Sequence, residues 1–416
     1  MQNNTPKKPE LLAPAGSMDK LITAIHYGAD AVYLGGKQFS LRARATNFDM
    51  PTIAQAVEYA HQRGVKVYVT VNIFAHNRDL EGLDNYLLEL HNCGVDAIIV
   101  ADPGVLSIAR EVVPEMPLHL STQANVTNSA SARFWKSQHV RRLNLARELG
   151  HEEIQQIRQA TDAELEIFIH GALCISYSGR CMLSNYMTGR DANKGDCAHP
   201  CRYSYKLVEE KRPNEYFPVE EDERGTYIFN SQDLCLLGKL PQLVEIGADS
   251  LKIEGRMKSV GYVGSVVRLY RCALDYIAAK ILTTPISEII IPDMFFKELE
   301  KIGTRGRSEN FFTSPPSSVD MLYATMRVDQ EYAPVGIVRN TEPLFIETRN
   351  RLQCGDQIEY LGRGIEPVSA RVTKMYVQGG EEVALAHPGT GVQIETEPML
   401  DFVEVNSIFR KKMAEQ

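Results

Sequence analysis

Short apolar runs recur along the first two-thirds of the chain, and a helix-sized amphipathic segment separates most of them. The runs are ELLAPA (10–15), AVYLGG (31–36), VKVYVTVN (65–72), AIIVAD (97–102), LHLSTQ (118–123), RRLNLA (141–146), LEIFIHG (165–171) and SLKIEG (250–255). Segments such as MDKLITAIHYG and LEGLDNYLLELHNCG lie between them. About eight such units predict a parallel sheet with crossover helices. The regular spacing, and the lack of GxGxxG after the first run, favour a closed TIM-like (β/α) barrel over an open dinucleotide-binding sheet.

A weak internal repeat agrees with this. GADAVYL at 28, GVDAIIV at 94 and GADSLKI at 247 share one pattern, in which glycine ends a helix, an acid turns the chain and a buried strand begins. In a barrel of this kind the working face is at the C-terminal ends of the strands. Those ends carry Ala15-Gly16-Ser17, Gly35-Gly36, Asn72, Asp102, Ser121-Thr122-Gln123, Arg147-Glu148, His170-Gly171 and Glu254-Gly255-Arg256. Many are polar or glycine, as a ligand-lined mouth requires.

The chain of 416 residues is 44% hydrophobic, enough for one large domain and a small one. Residues 1–9 read as a tail and 10–313 as the barrel, with a charged, proline-containing excursion at about 209–225. Residues 258–302 look helical, and SPPSS at 314–318 signals a linker. Closely spaced short strands then predict a small all-β barrel over 319–406, followed by a tail at 407–416. No apolar run reaches the roughly 18 residues of a membrane span. The start has two lysines and no apolar h-region, so the cytoplasm is expected and a membrane is not. The net charge of −8 does not advertise a nucleic-acid binder, so an RNA substrate needs a local basic face.

The chemistry concentrates in FIHGALCISYSGRCMLSNYMTGRDANKGDCAHPCRY, which carries Cys174, Cys181, Cys197 and Cys201; Cys235 follows. Clustered cysteines in a cytoplasmic protein point to a metal or a nucleophile rather than to disulfides. Six residues separate the first pair and three the second, and only the second spacer suits a zinc ribbon. Long, glycine-containing spacers suit an iron–sulfur cluster held by loops. Zinc, structural thiols and a thiol nucleophile paired with His170 stay open on spacing alone.

Cations gather near the expected mouth: Arg42, Arg44, Arg147, Arg180, Arg190, Arg202, Lys252, Arg256 and Lys258. As a group they read as an anion site. Arg147, Gln123, Asn72 and Lys252 are the candidate anion or substrate ligands, and His170, Glu254 and Arg256 the candidate catalytic residues. PAGS at 14–17 offers backbone amides at a helix start.

LAPAGS, EIFIHGALCISYSGRCMLS, GDCAHPCR and SLKIEGRMKS together resemble the collagenase-like peptidase family U32, over residues 10 to 313. The β-rich tail resembles that family's C-terminal domain. The resemblance implies hydroxylation rather than proteolysis. Members form 5-hydroxyuridine at the wobble position of tRNA, with prephenate as the implied oxygen source, and relatives act on ribosomal RNA or a ubiquinone precursor. It also implies a [4Fe–4S] cluster on Cys174, Cys181, Cys197 and a fourth ligand, Cys201 or Cys235. The partners it implies are tRNA, a small anionic metabolite, and a partner protein or a second copy of the chain. Collagenase-like peptidase activity, or hydroxylation of another RNA or small molecule, is the alternative reading.

Overall fold

The computed structural model describes residues 7–41, 47–174, 176, 180–200, 207–209, 212–217, 220–222, 225–227, 230–303, 306–314, 321–322 and 330–413. Eight parallel strands form a closed ring: β1 (Glu10–Pro14), β2 (Ala31–Gly35), β3 (Lys66–Val71), β4 (Ala97–Val100), β5 (Leu118–Leu120), β6 (Arg142–Asn144), β7 (Glu164–Gly171) and β8 (Ser250–Ile253). Neighbours in sequence are neighbours in the ring, and β8 closes it between β7 and β1, with Ser250 opposite both Glu166 and Glu10. This is the TIM-like barrel that the alternating pattern predicts. The strands stop a few residues earlier than the apolar runs suggest. After Leu120, for instance, Ser121 opens a tight turn over Thr122–Ala124.

The described helices are α1 (Met18–His26), α2 (Met50–His61), α3 (Leu83–Asn92), α4 (Pro103–Val112), α5 (Ser129–Ser137), α6 (His151–Ala160), α7 (Leu183–Thr188), α8 (Leu240–Ile246), α9 (Val260–Lys280) and α10 (Asp293–Glu300). Several start on a side chain that accepts an orphan amide: Ser17, Asp49, Asp102, Asn128 and Ser259.

The glycine–acid repeat proves to be a joint with two functions. Gly28, Gly94 and Gly247 take φ of +91°, +78° and +82°, the left-handed conformation that ends a helix. Two residues on, the acid reaches sideways to the preceding strand of the ring. Asp30 accepts from the Leu11 amide at 2.8 Å, Asp96 from Val67 at 2.8 Å and Asp249 from Leu165 at 2.9 Å. The same carboxylates meet Arg271, His61 and Arg158 from the helical layer. Each joint therefore ties two strands and a helix.

Outward-facing strand residues such as Leu11, Val32, Val67, Ile98 and Leu143 form the main core with the helices. The lumen is different. Leu12, Ala31, Tyr33, Tyr68, Ala97 and Ile99 fill one side. The other side, where β6, β7, β8 and β1 meet, is ionic. Arg142 bonds Glu10 at 2.6 Å and Glu164 at 2.7 Å, and Lys252 bonds Glu166 at 2.7 Å. Tyr68 and Ser250 donate to Glu10 at 2.8 and 3.0 Å. Burial works against the Arg142 charge, but Glu10 and Glu166 outweigh it and raise its pKa. His119, deep in this region, is driven well below its usual pKa by burial and then by Arg142 and Lys252.

The C-terminal unit is a closed antiparallel barrel of β9 (Tyr332–Thr341), β10 (Leu344–Thr348), β11 (Gln357–Leu361), β12 (Val368–Val377), β13 (Gly391–Glu397) and β14 (Ile408–Lys412). The closing strand β14 lies in the stretch read from sequence as a tail, and DFVEV at 401–405 is not a strand. Only Ile408 and Phe409 mark β14 as apolar before RKK, so its pairing with β9 and β11 decides its structure. Within the charged excursion the backbone forms two small antiparallel pairs, 207–209 with 212–217 and 220–222 with 225–227. Among the described residues no helix is long and apolar enough to cross a membrane.

The two barrels meet along α1, α9 and α10. A Cβ on Gly261 would sit 2.6 Å from Pro334 Cγ, and one on Gly264 would sit 2.4 Å from Ile408 Cδ1, so both glycines permit close approach. Tyr27 donates to Leu361 O at 2.8 Å and accepts from the Ile408 amide at 2.9 Å. His26 Nε2 lies 2.9 Å from Ser407 Oγ. Glu298 on α10 is buried between Arg268 on α9 (3.0 Å) and Arg410 on β14 (2.7 Å). Burial disfavours the Glu298 charge, yet Arg410 and Arg268 prevail and lower its pKa.

Two predictions follow from these contacts. Glu298→Ala leaves Arg268 and Arg410 without their shared carboxylate, so denaturant unfolding is expected to show a loss of about 3–5 kcal/mol; a loss below 1 kcal/mol contradicts the assigned role. Burial holds His26 at about 4, below its ordinary 6.5, and drives His119 well below that ordinary value too. Both stay neutral in the fold while the unfolded chain protonates them below 6.5. Stability is therefore full above 6.5 and falls as pH drops toward 4, by up to about 1.4 kcal/mol per pH unit for each site. His26→Gln should flatten part of that slope in a pH series of unfolding midpoints.

Candidate active site

The C-terminal ends of the barrel strands are cross-tied rather than open. Arg256, just past β8, is only 4% exposed. Its guanidinium donates to Ser40 Oγ (3.2 Å), Thr70 Oγ1 (2.9 Å), Leu41 O (2.8 Å) and Asn47 Oδ1 (3.2 Å). It lies across Gly35, where a Cβ would come within 2.7 Å of it. The Arg256 carbonyl in turn accepts from Lys20 at 3.0 Å and crowds Gly16. The PAGS turn thus packs on the loop after β8, and the Ser17 hydroxyl caps α1.

Glu254 is partly exposed and accepts from Tyr33 at 3.1 Å. Its backbone presses on Gly171, whose φ of +114° and 2.4 Å Cβ-to-Glu254 O separation admit only glycine. Asn72 donates to Gln123 at 3.2 Å and accepts from the Leu41 amide at 3.2 Å. Arg147 donates to Ala172 O at 2.9 Å and lies 4.2 Å over the Phe168 ring. Lys252, read from sequence as ligand-facing, is instead engaged by Glu166 inside the lumen. Strand alternation explains this: Leu251 and Ile253 face the helical core, so Lys252 turns inward.

The cysteine segment is drawn to this mouth by two ties. Arg180 donates to Gln123 O at 2.8 Å and lies 5.1 Å over Phe74, and the Phe74 amide donates to Asn193 O at 3.4 Å. Asn193 also brackets Cys181, accepting from its amide and donating to its carbonyl. Arg190 binds Asp196 and Cys197 O, and Ser184 accepts from the Ala198 amide. Cys174 is exposed, Cys181 buried and Cys197 half-buried, and none of these thiols is in a disulfide. Unbonded thiols on one segment are the donor chemistry that a thiolate-ligated group requires. Among the described residues no three His, Cys, Asp or Glu side chains are grouped to hold a metal ion. Cys201, like Arg42, Arg44 and Arg202, lies outside the described residues.

Cys235 and His170 occupy different surroundings. Cys235 belongs to a short strand, Asp233–Cys235, that pairs antiparallel with the end of β7, setting Cys235 opposite His170. The Tyr270 hydroxyl on α9 lies 3.2 Å from His170 Nδ1 and 3.7 Å from Cys235 Sγ. Burial pushes the Cys235 thiol up and lowers His170 to about 4, so both are neutral near pH 7. His170 is 1% exposed and packs on the Tyr262 and Tyr270 rings, while Cys174 is exposed. The described contacts do not assemble a His170–Cys174 nucleophile pair.

Sequence reasoning did not single out Tyr33, Ser40, Thr70, Asn193 or Tyr270, all of which hold the site. Inward alternation along β2 and β3 carries the signal for Tyr33 and Thr70. Nothing local marks the others.

The family model for Peptidase family U32 matches residues 16–321, and that for the Peptidase family U32 C-terminal domain matches residues 330–410. The chain is 41% identical over 387 residues to tRNA hydroxylation protein P1 of Bacillus subtilis (strain 168), covering 92% of this chain and 90% of that protein. It is 40% identical over 399 residues to tRNA hydroxylation protein P of Escherichia coli (strain K12), covering 85% and 86%. A 23S rRNA 5-hydroxycytidine synthase of the same organism is 40% identical over 268 residues, or 64% of this chain and 39% of that protein.

Arg256→Met tests the mouth. Losing four charge-assisted bonds is expected to cost on the order of 2–3 kcal/mol and to speed hydrogen exchange at the Leu41 amide. Unchanged exchange there would show that Arg256 does not hold the loop.

Proposed function

The chain belongs to peptidase family U32, and from that premise we propose that it is an RNA-modifying hydroxylase acting on tRNA. The observation that carries this reading is identity of about 40% over most of the chain to proteins named for tRNA hydroxylation. A relative named for 5-hydroxycytidine synthesis in ribosomal RNA supports hydroxylation of a pyrimidine at C5. The finer proposal is 5-hydroxyuridine at the wobble position, with prephenate as oxygen donor. The separation of buried His170 from exposed Cys174 gives no support to a thiol peptidase.

Cys174, Cys181, Cys197 and Cys201 are the proposed holders of a [4Fe–4S] cluster. A bound cluster would supply one-electron chemistry beside the substrate. Cys235 is the alternative fourth ligand; its strand pairs with the end of β7, from which the cysteine segment departs. The ties from Arg180 to Gln123 and from Phe74 to Asn193 hold the cysteine segment against the mouth. A uridine must leave its stack to enter there. Arg147 and Arg180, each laid on an aromatic ring, are the proposed contacts for an anionic metabolite.

Nucleoside mass spectrometry of tRNA from cells with and without the gene tests the activity. Loss of 5-hydroxyuridine-derived nucleosides is expected on deletion, with recovery from the wild-type gene but not from Cys174→Ala. Protein purified without oxygen should be brown, with iron and sulfide near a four-to-four ratio. Cys201→Ser should lose that iron and Cys235→Ser should keep it; the reverse would move the fourth ligand to Cys235.

A further inference from the structure

A cleft of about 190 Å³ opens between the two barrels, where the first turn of α9, the segment after α10 and strands β9 and β14 meet. Among the described residues that line it, the charged ones are Lys258, Lys301 and Arg410, and none is an Asp or Glu. Gln330, Tyr332 and Ser265 add neutral polar groups. The acids that meet these cations are not themselves lining residues. Glu298 and Glu359 engage both Lys301 and Arg410, and Arg268 shares Glu298. Three cations thus share two carboxylates there. Lys258 lies 3.8 Å from Asp233. Every charged group among the described lining residues is therefore a cation.

Size limits the occupant. The cleft's volume is about 190 Å³. That is enough for a phosphate group with part of its shell, and small against the roughly 300–1,000 Å³ of a pocket for a whole metabolite. Position limits it further. Lys258 follows β8 at the mouth end of the barrel, and its partner Asp233 starts the short strand that pairs with Gly171, three residues before Cys174. An anion in the cleft therefore sits beside the departure point of the cysteine segment.

We propose that this interdomain cleft is a subsite for one backbone phosphodiester of the RNA substrate, next to the nucleotide presented at the mouth. The proposal rests on the RNA-hydroxylase reading above. It gives the C-terminal barrel a role: β9 and β14 supply one wall of the subsite and α9 the other. It also explains how an acidic chain holds a polyanion, since the required charge is local.

The test uses the full-length protein and fluorescein-labelled tRNA, with anisotropy measured over a series of KCl concentrations. Lys258→Gln removes a rim cation, and Ser265→Asp adds an anion without breaking an ion pair. Each is expected to weaken binding several-fold and to reduce the slope of log K against log salt by about 0.7–0.9. Thermal midpoints near wild type confirm that both variants fold. Variants that bind tRNA with wild-type affinity and slope overturn the subsite and leave the hydroxylase reading standing. A wild-type protein that does not bind tRNA overturns both. If inorganic phosphate protects Lys258 from acylation while tRNA does not, the cleft belongs to a free anion and the proposal fails.

Discussion

The buried ion cluster at the seam of the parallel barrel is the contact on which the rest of the molecule depends. A closed ring needs its last strand to find the first, and here 78 residues separate the end of β7 from the start of β8. Backbone pairing alone tolerates a slip; a slip by one residue would turn Lys252 into the helical core and Leu251 into the lumen. The Lys252–Glu166 pair, together with Arg142 joining Glu10 to Glu164, penalises that slip by leaving buried charges unpaired. Hydrophobic filling would close a barrel equally well. The ionic seam adds a register.

That register has consequences at the mouth. With β8 in place, Glu254 meets Tyr33 and Gly171, and Arg256 reaches Ser40, Thr70 and Leu41. The loops after β1, β2 and β8 and the end of strand β3 are then held by one guanidinium and one carbonyl. The cysteine segment is attached to the same frame through Arg180 and Asn193. A site that must position an RNA base gains from such preorganisation, because disorder left in the supporting loops is paid at the moment of binding.

Much of this architecture is visible in the residue order. The eight apolar runs, the helix caps and the glycine–acid joints are local signals, set by periodicity and by the few residues that tolerate a turn. The cysteine segment is equally visible as a place where chemistry concentrates. Other assignments depend on direction. Lys252 and Arg256 look alike in KIEGRMKS, yet one lies in the lumen and the other clamps a loop. His170 stands four residues from Cys174, but its ring packs on Tyr262 and Tyr270. The closing strand β14 has only two strongly apolar residues and gains its structure from β9 and β11.

The sequence by itself determined the fold class, the order of the eight barrel strands and the segment that bears the thiols, because each is a short-range property of the chain. Only the tertiary structure decided which charges are spent on holding the barrel together and which face a ligand. That partition depends on contacts between residues far apart in sequence, such as Glu10 with Arg142 and Arg256 with Ser40. The net electrostatic environment of a side chain is a sum over such neighbours, and no local pattern encodes it.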